Sequence, residues 1–173
     1  NAAGCSATSA ATVVTVNPLP AVAALTGATN VCSGSTTQLA SATTGGVWTS
    51  SDASIATVST TGVVTGVAAG SATITYTVTN GNGCSSAVTA TVNVNSGATA
   101  TISVSGATTF CSGDSVILTS SEATNNVWST GATTQSIAVN PENTTTYTVS
   151  VTGSNGCSAQ DAVIVTANKA KPT

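Results

Sequence analysis

Five cysteines, Cys5, Cys32, Cys84, Cys111 and Cys157, are the residues of this chain best suited to chemistry. Thiols serve as nucleophiles, as metal ligands or as halves of disulfides. A nucleophilic thiol needs a base to make thiolate, and the chain contains no His. Zinc sites favour closely spaced Cys with His, whereas these cysteines lie far apart and form no C-x-x-C. Disulfides remain, with free buried thiols as the plainer alternative, and disulfides belong to oxidising compartments. The five acids, Asp52, Asp114, Glu122, Glu142 and Asp161, are scattered. General acid–base chemistry needs positioned carboxylates or His, and a calcium loop needs several oxygen ligands at tight spacing. The sequence therefore predicts no catalytic residue, no metal site and no cofactor.

The spacing of the cysteines is itself periodic. The interval from Cys5 to Cys84 equals that from Cys32 to Cys111, and the interval from Cys84 to Cys157 is only slightly shorter. The shorter intervals, Cys5 to Cys32 and Cys84 to Cys111, are also equal to each other. Other motifs keep the same register: Asn30-Val-Cys-Ser-Gly34 with Thr109-Phe-Cys-Ser-Gly113, Val47-Trp48 with Val127-Trp128, Tyr76-Thr-Val78 with Tyr147-Thr-Val149, and Asn82-Gly-Cys-Ser85 with Asn155-Gly-Cys-Ser158. Fixed-period self-similarity marks repeated structural units. Two repeats are expected, at 19–95 and 96–168. Residues 1–18 read as the final strand of a preceding repeat, and 169–173 as a linker to the next. The pairing expected from this register is Cys32 with Cys84 and Cys111 with Cys157, each closing a loop of about 50 residues worth at most about 4 kcal/mol. Cys5 is left for an inter-repeat or intermolecular partner.

The elements that hold these residues are strands. Ser71-Ala-Thr-Ile-Thr-Tyr-Thr-Val-Thr79 and Ser86-Ala-Val-Thr-Ala-Thr-Val-Asn-Val94 alternate apolar and polar side chains at period two, which buries one face of a strand. No comparable stretch has helical period. Further strands are expected at 36–43, 115–121, 46–50, 126–130 and within 56–70, with closing hairpins around Asn80-Gly-Asn-Gly83 and Ser154-Asn-Gly156, whose types favour positive φ. About seven short strands per repeat is the pattern of a sandwich. Trp48 and Trp128 recur in register behind a Val, so they and Tyr76 and Tyr147 are assigned to the core. The competing role for the Trp residues is sugar stacking.

Charge narrows the partners. Only 4% of the residues are charged and the net charge is -3, against roughly 25% charged in an ordinary domain. Nucleic acid binding rests on Lys and Arg, and only Lys169 and Lys171 are present, with no Arg. The same lack argues against an acidic membrane surface, and no apolar run is long enough to span a bilayer.

The stretch Trp48-Thr-Ser-Ser-Asp-Ala-Ser-Ile-Ala-Thr-Val-Ser-Thr-Thr-Gly-Val-Val-Thr-Gly-Val-Ala-Ala-Gly-Ser-Ala-Thr-Ile-Thr-Tyr76 resembles the bacterial immunoglobulin-like group 2 domain. The second repeat, with Cys-Ser-Gly, Val-Trp-Ser-Thr-Gly, Thr-Thr-Thr-Tyr-Thr-Val and Asn-Gly-Cys-Ser, is similar to the shorter immunoglobulin- or PKD-like repeats of Bacteroidota surface proteins. Such arrays fill large type IX-secreted proteins, including gliding-motility adhesins of the SprB type. The resemblance implies an all-β fold of tandem immunoglobulin-like sandwiches, export to the cell surface, and a spacer or adhesive role without catalytic residues. Asp114-Ser115-Val116 matches a short pattern resembling the Bacteroidota O-glycosylation acceptor, which makes Ser115 a candidate; a plain strand start fits those residues too.

The function expected is a structural or adhesive segment of a large extracellular adhesin. Its partners would be neighbouring repeats of the chain or filament, with surface glycans or other cell-surface proteins as further candidates. Two other readings stand beside it: a filament protomer that donates residues 1–18 to a neighbour, and a carbohydrate-binding module of a secreted enzyme.

Overall fold

The computed structural model describes residues 10–168. Fourteen strands run in chain order through them. The first seven are β1 (Asn30–Cys32), β2 (Thr36–Gln38), β3 (Val47–Ser50), β4 (Ala56–Val58), β5 (Val63–Gly66), β6 (Gly70–Thr79) and β7 (Ser85–Asn95). The second seven are β8 (Ile102–Val104), β9 (Thr109–Cys111), β10 (Val116–Ser120), β11 (Asn126–Trp128), β12 (Ser136–Val139), β13 (Thr145–Thr152) and β14 (Ser158–Asn168).

They form four sheets. One is ordered β1-β7-β6-β3 and faces a three-stranded sheet β2-β5-β4. The other pair is β11-β13-β14-β9 and β12-β10-β8. Alternation explains the packing. In β6, Ala72, Ile74 and Tyr76 are buried while Thr73, Thr75 and Thr77 between them are only half-buried. In β13, Tyr147, Val149 and Val151 do the same. The first core joins Val31, Leu39, Val64, Ile74, Val92 and Val94. The second joins Val116, Leu118, Trp128, Val149, Val151 and Val165. The described residues are all-β, with two cores each enclosed by a pair of sheets.

One pairing positions everything that follows. In each sandwich the short strand carrying the first Cys runs parallel to the long final strand, at its far end. Cys32 stands opposite Asn95 at the end of β7, and Cys111 stands opposite Asn168 at the end of β14. The other two long pairs, β6 with β7 and β13 with β14, are antiparallel hairpins. Thr79 and Ser85, and their counterparts Thr152 and Ser158, share hydroxyl hydrogen bonds of 2.8 and 2.9 Å at the two hairpin bases.

Several strands are shorter than their alternation predicts. The segment 36–43 is a strand only over Thr36–Gln38, followed by an isolated bridge between Ala40 and Thr26. The insertion within 56–70 becomes β4 and β5 around a turn at Gly62, whose φ is +83° and whose missing side chain leaves room for the Leu39 carbonyl and the Trp48 ring. In the second sandwich β12 takes the place of β5, pairing with β10 as β5 pairs with β2. Of the segment 1–18, residues 1–9 lie outside the described residues. Residues 10–18 form no strand here, and Val13, Val14 and Val16 are 80–87% exposed.

The tryptophans are not equivalent. Trp128 is 2% exposed and its indole N–H donates to the Thr134 carbonyl at 2.8 Å. Trp48 is half-buried, packs against the first core, and lies 4.5 Å from the Tyr76 ring, centroid to centroid. Replacing Trp128 by Ala should therefore cost about 3–5 kcal/mol, and Trp48→Ala clearly less. Hydrogen exchange checks this locally: Trp128→Ala should speed exchange in β13 and β14 and leave β6 and β7 protected. Equal losses for the two substitutions would show that Trp48 is as deeply set as Trp128.

Candidate functional site at the junction of the sandwiches

The cysteines pair across the two sandwiches rather than within them. Cys32 is bonded to Cys157, 125 residues away, with a Cα–Cα distance of 5.7 Å. Cys84 and Cys111 are free thiols. This corrects the pairing of Cys32 with Cys84 and of Cys111 with Cys157 that the repeat register suggests. The reason is length. Cys84 immediately precedes the 11-residue strand β7, and Cys32 pairs with the last residue of that strand. Ten strand steps span about 33 Å, while a disulfide needs Cα atoms within about 7 Å. The 11 residues of β14 separate Cys157 from Cys111 in the same way. Neither within-sandwich bridge can close. Cys5 lies outside the described residues.

The junction is built from a hairpin tip and a strand end. The tip between β13 and β14 closes through Gly153 N–H to Cys157 C=O at 2.8 Å and Gly156 N–H to Gly153 C=O at 3.0 Å. Asn155 holds it: its side-chain carbonyl accepts from Cys157 N–H at 3.1 Å, and its side-chain N–H donates to the Ser96 carbonyl at 2.9 Å. Ser96 is the first residue after β7, so the tip rests against the end of the first sandwich. A shallow cleft there is lined by Val31, Cys32, Ser35, Asn95, Asn155 and Gly156. Cys157 itself is 1% exposed.

The other hairpin tip, between β6 and β7, makes the matching contact upstream. Asn80 N–H closes onto Cys84 C=O at 2.9 Å, and the Asn80 side-chain carbonyl accepts from Cys84 N–H at 3.0 Å. The Asn80 side-chain N–H donates to the Pro18 carbonyl at 2.9 Å, and the Cys84 sulfur lies 3.9 Å from the Asn17 carbonyl. Asn17 stands as far after Cys5 in the sequence as Ser96 stands after Cys84. The two tips reach neighbouring points of the repeat through different residues: Asn155, two before its Cys, bonds Ser96, whereas Asn80, four before its Cys, bonds Pro18.

The remaining candidates fall elsewhere. Tyr76 is buried, with its hydroxyl donating to Thr43 C=O and accepting from Gly46 N–H, both at 2.8 Å. Tyr147 is buried in the second core. Ser115 is exposed just before β10. Among the acids, Asp52 caps a turn: its carboxylate accepts from the Ser54 hydroxyl and backbone N–H at 2.6 and 2.9 Å, which holds it below the usual carboxylate range. Asp161 accepts from Ile102 N–H at 2.8 Å. Among the described residues no group of three or more His, Cys, Asp or Glu is placed to hold a metal. One groove of about 670 Å³, lined by Ala123, Thr124, Asn126, Val127, Thr152 and Gly153, has no counterpart in the sequence motifs. The Asn126 side-chain carbonyl beside it is buried without a hydrogen-bond partner, although its N–H₂ donates to Glu122 C=O at 2.9 Å.

Comparison with known proteins bears on this geometry. Residues 10–88 match the family model of the bacterial Ig-like domain (group 2). That match starts ahead of residue 19 and ends inside β7; Ig-like domain families are typically non-catalytic. No curated protein matches the chain. Among solved structures, murine CEACAM1b is similar at 13% identity and a TM-score of 0.35, over 84% of this chain and 100% of that one. The extracellular domains 3–5 of Drosophila OTK are similar at 13% identity and 0.36, over 85% and 63%. The S-layer protein rSbsC(31-844) is similar at 17% identity and 0.33, over 78% and 23%. Likenesses this distant carry nothing about ligands.

A peptic digest of the unreduced, alkylated protein should contain a Cys32–Cys157 peptide pair, with Cys84 and Cys111 alkylated. Recovery of a Cys32–Cys84 or Cys111–Cys157 pair would contradict the junction.

Proposed function

We propose that this chain is a non-catalytic structural or adhesive segment of a large extracellular surface protein, in which sandwiches in series hold other parts away from the cell. The observation that carries the reading is the covalent link between sandwiches. A binding module or enzyme gains little from tying one end of a sandwich to its neighbour, whereas a stalk under load gains directly. A disulfide also requires an oxidising location, and the group 2 Ig-like match fits a surface repeat. The exposed polar groups belong to Ser, Thr and Asn rather than to charged residues, so the assembly should respond little to salt. Type IX secretion and gliding motility extend this reading through the resemblance alone.

Antibody raised against the chain should label intact cells that make it, without permeabilisation. Labelling that appears only after permeabilisation would overturn the proposal.

A further inference from the structure

We propose that Cys84 and Cys111 are the two halves of further inter-sandwich disulfides, so that an array of these repeats carries a continuous ladder of bridges. The inference rests on reading the chain as part of such an array. Its own basis is the observed bond and the observed docking of the tips.

The cysteines are of two kinds. Cys32 and Cys111 end the short strand that runs parallel to the final strand. Cys84 and Cys157 follow a hairpin tip. The bond that forms joins the first kind in one sandwich to the second kind in the next. Applied one step earlier, the same rule gives Cys84 a strand-end Cys in the sandwich before it. Applied one step later, it gives Cys111 a hairpin Cys in the sandwich after it. The geometry agrees at both sites. The Cys84 sulfur lies 3.9 Å from the carbonyl of Asn17, which holds the repeat position of Ser96, and Ser96 is the residue that the tip carrying Cys157 touches through Asn155 in the formed junction. Cys111 is exposed beside Asn168 at the end of β14, the position that Cys32 takes beside Asn95 at the end of β7. The partner in each case is a sandwich of this same kind.

The chemistry balances with a small disulfide as oxidant. The exposed Cys111 thiolate attacks glutathione disulfide, forming a mixed disulfide and releasing one glutathione thiolate. The Cys84 thiolate of the following sandwich then attacks the protein sulfur and releases the second glutathione. Two protein thiols lose two protons and two electrons, and one glutathione disulfide becomes two glutathione thiols.

The bridges would overlap, because Cys84 and Cys111 both lie between Cys32 and Cys157. The shortest covalent path past two sandwiches then runs through a disulfide and the short tether from Cys84 to Cys111, instead of along both repeats in full. At about 3.6 Å per residue that tether extends to at most about 97 Å. Such an array resists lengthening even if its sandwiches unfold.

A head-to-tail tandem tests this, with residues 1–168 followed directly by residues 17–173. This joint preserves the natural spacing from hairpin Cys to strand-end Cys. Refolded in a glutathione redox buffer, the tandem should contain two Cys32–Cys157 bonds and a bond from Cys111 of the first copy to Cys84 of the second. It should titrate the same number of free thiols as the single chain. Cys84→Ser in the second copy should leave Cys111 of the first reactive while both Cys32–Cys157 bonds persist. Two additional free thiols in the tandem, with both Cys32–Cys157 bonds present, would overturn the ladder and leave the surface-segment reading intact. A tandem that forms neither kind of bond would also overturn it, since adjacent copies would then fail to adopt this junction.

Discussion

The structure depends on the parallel pairing of a three-residue strand with the far end of an 11-residue one. That register, Cys32 beside Asn95 and Cys111 beside Asn168, sends the two cysteines of each sandwich to opposite poles. Once they are at opposite poles, neither can serve its own sandwich. The nearest complementary thiol belongs to the neighbour, and the disulfide becomes a property of the junction. Loop-entropy arguments normally credit a disulfide with restraining one domain's unfolded chain. Here the closed loop contains β2 through β13 and hence most of both cores.

Much of this is legible in the residues. The alternation in 71–79 and 86–94 becomes the long hairpin of β6 and β7 with little adjustment, because two-period burial against a core leaves no other solution. The motif register is also legible, since β1 and β9, β6 and β13, and β7 and β14 occupy matching places in their sheets. The pairing of the cysteines is not. A repeat register states which cysteines are equivalent, and both Cys32–Cys84 and Cys32–Cys157 respect it. Deciding between them needs the direction of β1 relative to β7, and no local pattern in Asn30-Val-Cys32 encodes direction. Trp48 misleads for a similar reason. Its motif matches that of Trp128, yet one indole is half-buried beside the turn at Gly62 and the other is enclosed.

The low charge has a structural counterpart. Where ordinary surfaces place ion pairs, this one places hydroxyl pairs and hydroxyl-to-backbone bonds, often in equivalent positions. Ser51 accepts from Thr73 N–H and Ser129 from Thr148 N–H, at 2.9 and 3.2 Å, on matching edges of the two sandwiches. These bonds are short in reach and weak singly, about 1 kcal/mol each, but they do not fade with ionic strength. A surface segment exposed to changing salt gains constancy from them.

The central claim is that Cys32–Cys157 ties the two sandwiches into one mechanical unit, and stretching a single chain by its ends tests it most directly. Without reductant, the stretch between the bridged cysteines, a sequence separation of 125, should contribute no length at any force that leaves the S–S bond intact. With reductant, the fully unfolded chain should gain up to about 450 Å, at about 3.6 Å per residue. Equal final lengths with and without reductant would contradict the account.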